Sequence, residues 1–108
     1  MNDEVISQPA VLPPADTAVT KPDGDLVAAH LPAFRSRLTG MVAAGIRHLT
    51  IDLGGVTAID SMGIGLLVSV HNSLRKIGGE LKLIHVSKDI LALLQAMRIN
   101  QHFSVSGN

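Results

Sequence analysis

Residues 49–67 constrain the fold of this chain more than any other stretch. Leu49, Ile51 and Leu53 alternate with polar residues, which is the period-two pattern of a strand, and Gly54-Gly55 then interrupts it. A second apolar pattern follows, with spacings of three and four that are typical of one helix face. Its members are Gly63, Leu66, Leu67, Val70, Leu74 and Ile77. The stretch therefore predicts a strand, a tight turn and a helix that packs on the sheet.

Asp60 and Ser61 stand where this helix should begin. Both are residue types that cap helices, because a short side-chain oxygen can accept a hydrogen bond from an unpaired backbone N–H. The same unpaired N–H groups and the positive end of the helix dipole would also favour a phosphate. Two hypotheses follow. Ser61 either only caps the helix or is a site of regulated phosphorylation.

Gly63 and Gly65 fall in the first turns of this helix, where a glycine costs up to about 1 kcal/mol relative to alanine. One interpretation is a close approach of the helix to the sheet or to the backbone of a partner. The other is a slightly irregular helix start. The pattern alone does not separate them.

The flanking segments predict further helices and strands. Pro32 suits the first turn of a helix that ends near Gly45, and Gly78-Gly79 suits the end of the helix that begins near Ser61. Ser87 should cap a short helix after a second strand, and residues 99–105 predict a last strand around Phe103. The apolar residues of the first helix are Leu31, Phe34, Leu38, Met41 and Val42; those of the second strand are Leu81, Leu83, Ile84 and Val86; those of the last helix are Ile90, Leu91, Leu93, Leu94 and Met97.

The alternation of helices and strands predicts an α/β fold, a single domain with a small, mostly parallel sheet and packed helices, because parallel strands need helical crossovers. Residues 24–108 should form this domain. Residues 1–23 contain several prolines and should be loosely ordered or form short edge strands seeded by Val11-Leu12 and Ala18-Val19. One core is expected to hold Leu49, Ile51, Leu53, Leu66, Val70, Leu74, Leu83 and Leu94.

Charge and composition argue against several classes of partner. Nine basic and nine acidic residues give a net charge of +0, which leaves no summed field to hold nucleic acid or an anionic membrane. Phe34 and Phe103 are the only aromatic residues, too few to stack the bases of a single strand. The absence of cysteine fits a reducing compartment, and the start of the chain lacks the features of a secretory signal. We expect a cytoplasmic protein.

No pattern of catalytic or metal-binding residues is present. The nucleophile motif G-x-S-x-G is absent, and Val68 replaces the third glycine of a dinucleotide-binding G-x-G-x-x-G. The histidines are spread over different elements and should be solvated or core residues; they are His30, His48, His71, His85 and His102. We therefore predict no catalytic residue, no metal, no cofactor and no enzymatic activity.

Three stretches, residues 46–53, 56–67 and 78–83, resemble the STAS domain of bacterial anti-sigma factor antagonists. The resemblance covers roughly residues 24–103. The family pattern Asp-Ser-Ser-Gly-Leu-Gly stands here as residues 60–65, Asp-Ser-Met-Gly-Ile-Gly, and keeps the acceptor serine. The resemblance thus implies that residues 24–108 form a STAS domain and that Ser61 is its phosphorylated residue.

By the same resemblance, the expected partner is an anti-sigma factor that is also a serine kinase, held while Ser61 is unphosphorylated. A serine phosphatase would reverse the modification. An exposed sheet edge would favour pairing of two copies, so a homodimer is a further expectation. The residues expected to contact the partner are Asp25, Asp60, Ser61, Met62, Gly63 and Ile64.

Two alternatives remain at this point. The same fold serves as an accessory subunit of a phospholipid-transport ATPase, or as a signalling scaffold whose output is not a sigma factor. Such transport subunits often carry threonine at the acceptor position, so Ser61 favours the switch. A kinase gene beside this one would indicate the switch, and a permease gene would indicate the transport subunit.

Overall fold

A computed structural model describes residues 15–99 and 104–107 and confirms the predicted α/β class. The strands form one sheet of four, in the order β1-β2-β3-β4, and every neighbouring pair is parallel. The strands are β1 (Thr17–Thr20), β2 (His48–Asp52), β3 (Glu80–Val86) and β4 (Ser104–Gly107). The helices are α1 (Leu31–Ala43), α2 (Ser61–Lys76) and α3 (Lys88–Ala96), and a 3₁₀ turn at Ala28–His30 leads into α1.

Strand β2 shows how the sheet packs. Its residues alternate between half-buried and buried, and the buried Leu49 and Ile51 join the core with Leu53, which follows the strand. Leu49 lies opposite Leu81 and Ile51 opposite Leu83, so the buried residues of β2 and β3 share one face of the sheet. The hydrophobic period of two therefore decides which face receives the helices.

The helix ends follow the predicted signals. Pro32 lies in the first turn of α1, and Gly45 adopts a φ of 104° just after that helix ends. Gly78 ends α2 with a φ of 77°, a conformation that glycine adopts without steric cost. The Ser87 hydroxyl accepts a hydrogen bond from the Ile90 N–H at 3.2 Å and caps α3. These positions were predictable because each depends on a residue type with one strong backbone preference.

All eight residues predicted to share a core lie in one buried cluster. Three other apolar residues that the sequence placed on packed helix faces, Ile77, Leu93 and Met97, are exposed, so that part of the prediction is wrong. Ile77 and Met97 occupy the C-cap positions of α2 and α3, where the chain leaves the helix. Leu93 lies outside the narrow stripe of α3 formed by Ile90 and Leu94.

The strand expected at Ala18-Val19 is present as β1, which pairs in parallel with β2. The sheet therefore includes residues before position 24. The last strand, β4, spans Ser104–Gly107 and overlaps the end of the predicted segment 99–105. Phe103 and the expected strand at Val11-Leu12 lie outside the described residues.

Truncation of a core leucine should be costly, because it removes buried apolar surface and leaves a cavity. We expect Leu66→Ala and Leu83→Ala each to lower the free energy of unfolding by about 2 to 5 kcal/mol. Leu93→Ala is the matched control, since Leu93 is 37% exposed and should change stability by less than about 1 kcal/mol. Urea unfolding followed by circular dichroism measures all three. Equal losses in the three variants would contradict this assignment of the core.

Candidate functional site

The start of α2 is held by the carboxylate of Asp60. Asp60 has extended backbone angles, and its Oδ1 accepts a hydrogen bond from the Gly63 N–H at 2.9 Å. Asp60 is thus the N-cap, and Ser61 is the first helical residue. The hypothesis that Ser61 only caps the helix is wrong, because the neighbouring carboxylate already performs that role.

The second oxygen of the same carboxylate reaches another part of the chain. Asp60 Oδ2 accepts a hydrogen bond from the Ala28 N–H at 3.0 Å, and the Asp60 N–H donates to the Leu26 carbonyl at 3.2 Å. Ala28 and Leu26 belong to the β1–α1 loop, which we define as residues 21–30. One side chain therefore caps α2 and fixes this loop against the helix start.

Asp25 makes the reciprocal connection. Its Oδ1 accepts hydrogen bonds from the N–H groups of Thr57 at 2.9 Å and of Ala58 at 3.2 Å. The Thr57 hydroxyl lies 3.3 Å from the same oxygen, and the Leu26 N–H donates to the Ala58 carbonyl at 3.1 Å. The β1–α1 loop and the turn before α2 thus hold each other through both side chains and backbone. We call the carboxylates of Asp25 and Asp60 with these N–H partners the double staple.

The electrostatics of the double staple follow from its donors. The N–H groups of Gly63 and Ala28 stabilise the ionised carboxylate of Asp60 and lower its pKa below the ordinary 3.8. The N–H groups of Thr57 and Ala58 lower the pKa of Asp25 in the same way. Both side chains are therefore charged at neutral pH.

Gly63 allows the backbone of α2 to approach the β1–α1 loop closely. A Cβ at this position would overlap the Leu26 carbonyl oxygen and lie 2.9 Å from Cγ1 of Ile59. Gly65, two residues later and on the exposed side of the helix, has no heavy atom within 4 Å of its hypothetical Cβ among the described residues. A close approach is therefore present at Gly63, where the neighbour is the β1–α1 loop and not the sheet, and it is absent at Gly65 within the described chain. An approach of either glycine to a partner stays a prediction.

The six residues expected at a contact surface separate into three groups. Ser61 and Met62 are exposed, and Met62 keeps 57% of its surface accessible. Asp25 and Asp60 are half-buried and engaged in the double staple. Gly63 and Ile64 are buried, and Ile64 is only 6% exposed, so these two residues lie beneath the expected contact surface and are not part of it. A partner that docks here meets Ser61 and Met62 first.

The Ser61 hydroxyl makes no hydrogen bond to any residue in the ranges 15–99 and 104–107. It lies in the first turn of a helix of 16 residues that has no acidic side chain in that turn. A hydroxyl in this position is accessible to a modifying enzyme, and it has no hydrogen bond of its own to lose within the described residues.

The residues that complete the site, Leu26, Ala28 and Thr57, were not anticipated from the sequence. They act mainly through backbone N–H and C=O groups, which every residue type except proline offers in the same form. The only signal in the sequence was the pair of aspartates, Asp25 and Asp60, since a carboxylate in a loop or at a helix start can accept hydrogen bonds from backbone N–H groups.

Other polar groups do not assemble into a catalytic or metal centre in the described part of the chain. His85 Nδ1 lies 3.0 Å from Asp52 Oδ1, and His71 is buried in the interior. No group of three or more His, Asp or Glu side chains within the described ranges is arranged to hold a metal ion. Among the same residues, no helix combines the length and apolarity that crossing a membrane requires.

The fold thus places an exposed serine in the first turn of α2, beside the double staple. A model of the STAS domain family matches residues 8–108 of the chain. The chain therefore belongs to the STAS domain family. No curated protein sequence matches it.

Solved structures agree on the fold. A candidate anti-sigma factor antagonist of Thermotoga maritima, TM1081, is similar with a TM-score of 0.81 and 18% identity, over 87% of this chain and 81% of that one. The Bacillus cell fate determinant SpoIIAA in its phosphorylated form is similar with a TM-score of 0.68 and 16% identity, over 87% of this chain and 86% of that one. The anti-sigma factor antagonist SpoIIAA in its unphosphorylated form is similar with a TM-score of 0.67 and 16% identity, over 90% of this chain and 84% of that one.

The two glycines of α2 provide a matched test of the close approach. Gly63→Ala should destabilise the protein, because the new methyl group would displace the Leu26 carbonyl. Gly65→Ala should leave stability unchanged or raise it by up to about 1 kcal/mol, since alanine favours the helix and the position is open. Thermal unfolding of the two variants measures the difference. A Gly63→Ala protein as stable as Gly65→Ala would contradict the contact.

The double staple should also contribute to acid sensitivity. Its carboxylates have a lower pKa in the folded chain than in the unfolded chain, so their contribution to stability is complete above the unfolded value of 3.8. It decreases as the pH falls through the folded pKa values. Unfolding midpoints in urea, measured between about pH 2 and pH 6, should therefore depend less on pH in Asp25→Asn and Asp60→Asn than in the wild type.

Asp89→Asn is the control for this measurement, because it removes one exposed surface charge from α3. If Asp89→Asn reduces the pH dependence of the urea midpoint as much as the two staple variants do, net charge and not the double staple sets the acid sensitivity.

Proposed function

We propose that this STAS domain is a phosphorylation-switched anti-sigma factor antagonist. With Ser61 unmodified, it binds and sequesters an anti-sigma factor that is also a serine kinase, and the sigma factor is released. Phosphorylation of Ser61 by that kinase ends the complex, and a serine phosphatase restores it. The observation that carries the proposal is the exposed hydroxyl of Ser61 in the first turn of α2, beside the exposed Met62.

Surface chemistry supports binding at this point. Met62 is a flexible apolar side chain that keeps more than half of its area exposed, and flexible thioethers adapt well to partner surfaces. The backbone beneath it is fixed by the double staple, so a partner does not have to order it. A preformed backbone with one exposed apolar side chain suits an interface that must form and separate repeatedly.

The same geometry explains how a phosphate would act. It would add roughly −1.5 to −2 charges next to Asp60, a carboxylate that is already ionised and already uses the Gly63 N–H. The phosphate would then share the donors of the helix start with that carboxylate. Repulsion between the two groups would weaken the hold of Asp60 on the Ala28 N–H, so the change would extend from Ser61 into the β1–α1 loop.

The similar structures support this class of function. SpoIIAA, which shares the fold, exists in phosphorylated and unphosphorylated forms and is an anti-sigma factor antagonist. Ser61 of this chain stands within the Asp-Ser-x-Gly-x-Gly stretch through which the sequence resembles that family. By the same proposal, the protein acts in the cytoplasm and has no catalytic activity of its own.

Two substitutions of Ser61 separate folding from binding. Ser61→Ala should change stability by less than about 0.5 kcal/mol, because Asp60 provides the cap, and it should preserve binding to the kinase encoded beside this gene. Ser61→Asp should also fold, since a carboxylate in the first turn favours the helix dipole. It should raise the dissociation constant about 30-fold to 1,000-fold, which corresponds to 2 to 4 kcal/mol. Isothermal titration calorimetry and thermal unfolding provide both quantities.

Ser73→Asp is the matched control, with the same change of charge on an exposed serine of α2 at about 18 Å along the helix. It should bind like the wild type. Incubation of the wild type with the kinase and ATP should place the phosphate on Ser61, as read by mass spectrometry. Wild-type affinity in Ser61→Asp would refute the switch and would make the transport subunit or the scaffold the better explanation.

A further inference from the structure

A cavity of about 380 Å³ lies between the β1–α1 loop and α1. Its apolar wall includes Leu26, Ala29, Ala33 and Phe34, and its polar rim includes His30 and Arg37. Cavities of about 300 to 1,000 Å³ that combine an apolar wall with a few polar groups are typical of sites for small molecules. The proposed switch at Ser61 does not use this cavity.

Arg37 is fixed in position at the rim. Its Nη1 donates to the Lys21 carbonyl at 2.8 Å and lies 3.4 Å from the Thr20 hydroxyl, while the guanidinium carbon lies 5.5 Å from the centre of the Phe34 ring. A third bond runs from Nη2 to Asp23 at 2.9 Å. A guanidinium has five N–H donors, so two remain without a partner among residues 15–99 and 104–107.

The ion pair between Arg37 and Asp23 is exchangeable. The Asp23 side chain is 89% exposed, and surface pairs of this kind contribute little to stability. The other carboxylate of the cavity wall, Asp25, does not compete for Arg37, because it is bonded to Thr57 and Ala58. A single external carboxylate could therefore displace Asp23 from Arg37, and the exposed Asp23 side chain could turn toward solvent.

We propose that this cavity binds a small carboxylic acid with an apolar body, the carboxylate on Arg37 and the apolar part against Phe34, Ala33 and Leu26. A carboxylate matches the planar guanidinium and can accept two parallel hydrogen bonds from it. A doubly charged phosphate fits less well, because Asp23 and Asp25 stand at the same rim. An uncharged apolar molecule could fill the cavity but would make no ion pair with Arg37.

Occupation of the cavity would reach the helix start through the β1–α1 loop. Leu26 forms part of the cavity wall, and its carbonyl accepts the hydrogen bond from the Asp60 N–H and contacts Gly63. A bound acid would restrict the loop and hence the double staple. That the ligand also modulates partner binding rests on the proposed function; the ligand site itself does not.

A titration of the ¹⁵N-labelled full chain with 3-phenylpropionate tests the site in the absence of any partner. The amide signals of Leu26, Ala33, Phe34 and Arg37 should shift and saturate with a dissociation constant of about 1 mM or lower, and those of Ala28 and Gly63 should follow. The uncharged analogue 3-phenylpropanol should bind at least about 10-fold more weakly, because it cannot pair with the guanidinium.

Arg37→Gln should reduce the affinity for 3-phenylpropionate by about 10-fold or more, whereas Arg35→Gln, an exposed arginine on the same helix, should not. Ala33→Leu provides an independent test, since it fills the cavity and leaves Arg37 intact, and it should also abolish the shifts. Thermal unfolding verifies that each variant is folded.

Absence of saturable shifts at the cavity residues, or equal affinities for the acid and the alcohol, would overturn the proposal. So would a loss of affinity in Arg35→Gln equal to that in Arg37→Gln. None of these results bears on the affinity of the Ser61 variants for a kinase, so a failure of the ligand site is distinguishable from a failure of the switch.

Discussion

The bidentate use of the Asp60 carboxylate is the interaction on which the functional end of the molecule depends. One oxygen caps α2 through the Gly63 N–H, and the other holds the Ala28 N–H of the β1–α1 loop. Each bond alone would be an ordinary contact at a half-buried position. Because both converge on one side chain, the ordering of the loop and the formation of the helix start favour each other. Secondary structure and long-range packing are thus coupled at a single residue, immediately before the serine that we propose as the switch.

Much of the fold was predictable because it depends on local signals. The strands were visible in the alternation of Leu49, Ile51 and Leu53, and the helix ends in residues with one dominant backbone preference, such as Gly45, Gly78 and Ser87. The prediction for Leu93, which is exposed, was wrong because it also relied on a local signal, the helical spacing. Helical spacing indicates which residues lie near one face, but the width of the buried stripe depends on what packs against it. In α3 the buried stripe is narrow, and the sequence of the helix alone does not show this.

The candidate site was predictable only in part. The sequence pointed to Asp60 and Ser61 but did not show which of the two caps the helix, since both residue types can. Gly63 falls on the apolar stripe of the helix and Gly65 does not, but only the structure shows that Gly63 approaches the Leu26 carbonyl. The partners of Asp25 lie 32 and 33 residues away and act through backbone N–H groups, which carry no side-chain signature. Sequence analysis therefore located the serine, while the structure was needed to identify what holds it.

The contact between Gly63 and the Leu26 carbonyl has a mechanical consequence. Repulsion between touching atoms rises steeply on compression, whereas attraction fades gradually on separation. A displacement that presses the start of α2 toward the loop is therefore transmitted almost rigidly. A displacement in the opposite direction is resisted only by hydrogen bonds, such as that from the Asp60 N–H to Leu26. The start of α2 therefore resists movement toward the loop more strongly than movement away from it. This junction transmits a compressive displacement more completely than a separating one.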